Sequence, residues 1–139
     1  MADAFESYVE LAREDIDAAR QLVRDTKHSG RAAFFVEQAG EKLIKAVLSV
    51  EEIVFPTTHH QLGTLAALLP MDHEWRAELA TFDSFTTFAT RFRYPTPSGS
   101  LPRIPKPHEV ERYIDQVAAI IDDLQDWCRD TALKRRSRK

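Results

Sequence analysis

The sequence holds a single cysteine, Cys128, and only four glycines in 139 residues. One thiol excludes an intramolecular disulfide and every multi-cysteine zinc or iron–sulfur site. So few glycines argue against a β-sandwich or barrel, whose tight turns need them, and against a glycine-rich phosphate loop. No apolar run approaches the roughly 18 residues of a membrane span. The amino terminus lacks the basic-then-apolar pattern of a secretory signal, so the expected address is the cytoplasm. The five histidines (His28, His59, His60, His73 and His108) include no i,i+4 pair and no His-Glu-x-x-His. That spacing predicts no metal site, and nothing else in the chain calls for a cofactor.

What the chain does contain is helical periodicity. Phe5, Val9, Ala12, Ile16, Ala19 and Val23 form one stripe of a first helix from Asp3 to about Thr26, stopped by His28-Ser29-Gly30. A second helix follows to about Glu52, with Ala32, Phe35/Val36, Ala39, Leu43, Ala46/Val47 and Val50 facing inward. Thr57 or Thr58 is placed to cap a short third helix through Leu62, Leu65 and Leu68/Leu69. Asp72 begins a fourth, carrying Trp75, Leu79, Phe82, Phe85 and Ala89. Tyr94 to Pro107 contains five prolines and reads as a long irregular loop. Pro107 opens a last helix whose Val110, Ile114, Val117, Ile121, Leu124 and Cys128 keep a seam. The predicted fold is all-α: an up-and-down bundle of four long helices plus one short helix, forming a single domain over residues 1–133.

Charge is uneven. Residues 134–139 hold five of the 19 basic residues, so the body carries 14 basic against 22 acidic groups. The tail reads as disordered and solvating, because an acidic body repels nucleic acid elsewhere.

The stretch with chemistry is Arg91-Phe92-Arg93-Tyr94-Pro95. Guanidinium groups fork onto phosphate and aromatic faces stack on bases, which makes this a nucleotide- or RNA-binding edge. Two residues apart on a helix, the arginines diverge by roughly 200°. Arg93, beside Tyr94, is the expected ligand contact. Arg91 is expected to form a structural ion pair with Glu37 or Glu41. The surplus of Trp75, Phe82, Phe85, Phe88 and Phe92 over one core stripe predicts a dimer interface.

Three segments in register resemble the HEPN (higher eukaryotes and prokaryotes nucleotide-binding) family. They are Ala32-Ala33-Phe34 through Gln38-Ala39-Gly40-Glu41-Lys42 to Lys45-Ala46, then Thr58-His59-His60-Gln61-Leu62, then Arg93-Tyr94-Pro95. The resemblance covers about residues 5–128. It implies a dimeric bundle that binds nucleotide or RNA, with Lys42 and His59 aiding Arg91, Arg93 and Tyr94. It also implies a minimal nucleotidyltransferase as partner, in a toxin–antitoxin or regulatory pair. Some members of the family are metal-independent ribonuclease toxins marked by an Arg followed by a His after four to six residues. Here only Arg103 and His108 have that spacing, with Pro105 and Pro107 between them, so ribonuclease activity is the alternative reading. A purely structural dimeric adaptor is the other.

Overall fold

The computed structural model describes residues 3–57 and 61–138. Among them are α1 (Ala4–Val23), α2 (Ser29–Val50), α3 (Leu62–Ala66), α4 (Arg76–Ala80), α5 (Phe88–Arg91) and α6 (Pro107–Ser137), with no strand. Short 3-10 turns cover Thr26–His28 and Thr81–Phe85. None of these helices is long and apolar enough to cross a membrane.

Ion pairs reveal the topology. On α1, Glu6 and Arg13 reach Arg129 and Asp122 of α6 at 2.7 and 2.8 Å, so the two helices run antiparallel. The tight turn at 24–28 folds α2 back on α1, and Lys42 Nζ closes on Asp15 at 2.6 Å. Helix α2 then runs beside α6 in the same direction: Ser29 meets Pro105 at one end and Glu51 meets Arg135 at the other. The stretch from His73 to Phe92 returns along them, from Glu51 at one end of α2 to Gly30 at the other. This is the expected all-α up-and-down arrangement.

The fourth member is broken rather than continuous. Residues 81–90 read Thr-Phe-Asp-Ser-Phe-Thr-Thr-Phe-Ala-Thr, and their hydroxyls compete for helical carbonyls. Thr81 Oγ1 donates to Glu78 O at 2.6 Å, and Ser84 and Thr90 repeat the pattern at 3.3 and 3.5 Å. The segment therefore stays as successive short turns, held to α3 by Leu62 N–H on Thr86 Oγ1 and Gly63 N–H on Asp83 Oδ1.

Two expectations are corrected here. Phe82, Phe85 and Phe88 are buried within this one chain, and Trp75 and Phe92 are half-buried against the same core. Phe85 and Phe88 each pack on Tyr113 of α6, at 5.2 and 5.4 Å between ring centres. A broken helix presents side chains over more than one stripe, so the aromatic surplus is consumed inside the bundle instead of lining a dimer face. Nor is the basic segment a loose tail: residues 134–137 continue α6. Arg135 Nη2 sits 2.6 Å from Glu51, and Arg136 pairs with Asp3. Acidic side chains at the far ends of α1 and α2 draw the last turn down. Lys139 lies outside the described residues.

Candidate functional site

Arg91 and Arg93 diverge as their spacing requires, but not to the expected neighbours. Arg93, just past α5, turns toward α2, where its guanidinium lies 4.2 Å from the centre of the Phe34 ring. It also stands 5.2 Å from the Tyr94 ring and donates to the Tyr94 hydroxyl at 2.9 Å. Arg93 and Tyr94 are both exposed. Cation–π contact of this kind holds a guanidinium against a ring while leaving its remaining N–H groups for a ligand.

One helical turn from Phe34, on the same side of α2, sits Glu37, only 4% exposed. Gln38 Nε2 donates to its carboxylate at 2.8 Å. Burial pushes the Glu37 carboxyl up to about 7, with Glu41 adding to the rise and Gln38, Lys42 and Arg93 opposing it. Arg93 is thus the arginine whose charge reaches Glu37. The expected ion pair from Arg91 to Glu37 or Glu41 is not formed; Glu41 meets Lys45 at 3.5 Å on its own helix. Arg91 leaves the turn on the other side, its guanidinium 5.3 Å over the Phe92 ring.

Lys42, expected among the binding residues, has its ammonium 2.6 Å from the Asp15 carboxylate, an ion pair between α1 and α2. His59 lies outside the described residues, with Thr58 and His60. Arg103 and His108, the alternative ribonuclease pair, lie on either side of the start of α6. Arg103 lines a groove of about 200 Å³ together with Arg91, Phe92 and Tyr113, whereas His108 is exposed on the first turn of α6 and does not line it. Two prolines between them keep the segment extended up to Lys106.

Sequence reasoning passed over Phe34 as a stacking platform, because it flanks the buried stripe of α2 instead of belonging to it. The second feature missed is a cluster at the opposite end of the bundle. His73 Nε2 meets Glu51 at 3.0 Å, and its Nδ1 accepts the Trp75 N–H at 3.1 Å. The Trp127 ring closes edge-on over it at 5.1 Å. This cluster fastens the last turns of α6 to the end of α2. Cys128 is fully buried nearby, and burial pushes its thiol up to about 12, which suits a packing group rather than a nucleophile.

The family model described as HEPN domain matches residues 5–127. No curated protein and no solved structure is significantly similar to the chain.

Proposed function

The chain belongs to the HEPN domain family, a nucleotide- and RNA-related helical module, and on that premise we propose that it binds nucleotide or RNA through Arg93, Tyr94 and Phe34. The observation that carries this reading is the exposed Arg93 guanidinium set against two aromatic rings, 4.2 Å from the centre of Phe34 and 5.2 Å from that of Tyr94, whose hydroxyl accepts from it. A guanidinium fixed in that way has lost its rotamer freedom before a ligand arrives, so less of the binding energy goes into ordering it. Its N–H fork meets phosphate oxygens, and the exposed Tyr94 ring offers a face to a base.

Binding is favoured over cleavage because Pro105 and Pro107 interrupt the segment between Arg103 and His108, and of the two only Arg103 lines the Arg91 groove. A homodimer and a minimal nucleotidyltransferase partner, in a regulatory or toxin–antitoxin pair, complete the proposal. With the phenylalanines inside, the apolar surface left for a partner includes Leu101 and Ile104, 91% and 51% exposed beside the Arg91 groove.

The test is a titration of the purified protein with nucleoside monophosphates, followed by fluorescence or calorimetry. Arg93→Ala abolishes binding and leaves the melting temperature within about 4 °C, since an exposed cation–π contact is worth only about 0.5–1 kcal/mol. Unchanged binding in that variant refutes the assignment.

A further inference from the structure

Arg91 does not share the Phe34 platform. It borders the groove of about 200 Å³ between α5 and α6, and Arg103 borders the same groove from the extended segment before α6. Phe88, Phe92 and Tyr113 give it an aromatic lining, and Glu109 is the one carboxylate on it. Among the described residues, neither Arg91 nor Arg103 has a carboxylate within 4 Å. Arg13, Arg129, Arg135 and Arg136 are each paired. Two unpaired guanidiniums on one groove repel each other, and an anion between them removes that repulsion.

The walls are fixed by the start of α2. Ser29, fully buried, places its hydroxyl 2.6 Å from the Pro105 carbonyl and so holds the Arg103 segment in place. Next to it, a side chain at Gly30 would stand 2.9 Å from Phe92 Cβ. Only glycine lets the turn that carries Arg91 approach so closely. The groove is therefore formed before any ligand enters, which is what a phosphate clamp built from planar, bidentate donors needs.

We infer that this groove is a second phosphate subsite, and that the ligand is a single-stranded oligonucleotide carrying at least two phosphates. The inference rests on the Arg93–Tyr94 reading above and names its ligand class. The backbones of Arg91 and Arg93 are at most about 7 Å apart and their side chains diverge from there, so a strand of a few nucleotides, rather than one nucleotide, spans both sites. Glu109 makes the groove a weaker anion site than two arginines alone, which gives the test a gain-of-affinity arm.

The experiment titrates full-length protein with adenosine 5′-monophosphate and with a labelled single-stranded adenine hexaribonucleotide, over a range of salt. The hexamer binds at least about tenfold tighter than the monophosphate. Arg103→Ala removes that advantage and lowers the log–log salt slope by about 0.7, the value for one phosphate contact on a single strand. Glu109→Gln tightens the hexamer. Arg112→Ala, which removes an exposed charge of α6 outside the groove, leaves it unchanged. Equal affinity for the two probes, or a hexamer indifferent to both Arg103→Ala and Arg103→Glu while Arg93→Ala abolishes binding, overturns the groove and leaves the edge standing. If the wild type binds neither probe, the edge itself is wrong and the groove falls with it.

Discussion

Replacing Glu37 by glutamine tests the electrostatics beneath the binding edge. In the folded chain the carboxyl titrates near 7 because it is buried, against an ordinary 4.5. Between those two values the folded chain holds a proton that the unfolded chain has released. Stability is therefore fully present below about pH 4.5 and declines as pH rises through 7. At about 1.4 kcal/mol per unit, this one group removes about 3 kcal/mol across the window. For a domain of this size that corresponds to a melting temperature lower by about 10 °C. Glutamine keeps an acceptor for Gln38 and does not ionise, so its stability lacks this slope. Glu6 is held below the usual carboxylate range by its bond to Arg129 and acts in the opposite sense, at more acid pH, equally in both proteins. Urea unfolding followed by circular dichroism from pH 4.5 to 8.5, at constant ionic strength, measures the difference. Glu37→Gln gains on the wild type by about 3 kcal/mol from one end of the range to the other. Two parallel curves would show that Glu37 is solvated or paired when folded, and the account of its burial would be wrong.

Gly30→Ala drives a methyl group into Phe92. It costs about 1–3 kcal/mol in thermal unfolding despite the better helix propensity of alanine, and it disturbs Arg91 and Arg93 together; a more stable variant with intact binding contradicts the close approach. Arg135→Ala strips Glu51 of its 2.6 Å partner and lowers stability by about 1–2 kcal/mol. Lys134→Ala, whose pair with Asp130 is exposed on both sides, changes it by less than about 0.5 kcal/mol. Equal losses in the two variants, read from denaturant midpoints, would mean that Arg135 does not anchor the end of α6.

Much of the helical framework was legible from spacing alone. The stripe Phe5, Val9, Ala12, Ile16, Ala19 and Val23 is the buried face of α1 residue for residue, and the seam from Val110 to Cys128 is that of α6. Long amphipathic helices announce themselves because one period runs through many residues and packing only has to accept it. The stretch from 72 to 92 did not, since phenylalanines at helical spacing and hydroxyls that break helices pulled in opposite directions. Local hydrogen bonding won there, and the rings found their places by packing on α2 and α6.

Short-range chemistry was equally readable. Arg93 beside Tyr94 is a sequence fact, and their hydrogen bond follows from adjacency. That Arg91 and Arg93 diverge follows from helical geometry. What each one faces was decided by tertiary structure. Gly30 admits Phe92, and that contact sets the turn so that Arg93 falls on Phe34 and Arg91 on Arg103's groove. Lys42 and Asp15 are 27 residues apart, Glu51 and Arg135 are 84 apart, and Ser29 and Pro105 are 76 apart. No periodicity links such positions. Partners of a charge at long range are chosen by how helices pack, because a half-buried ion takes whichever opposite charge the fold brings within reach. The sequence by itself therefore determined the helices and the residue types at the binding edge; only the packed bundle decided which of those residues meet.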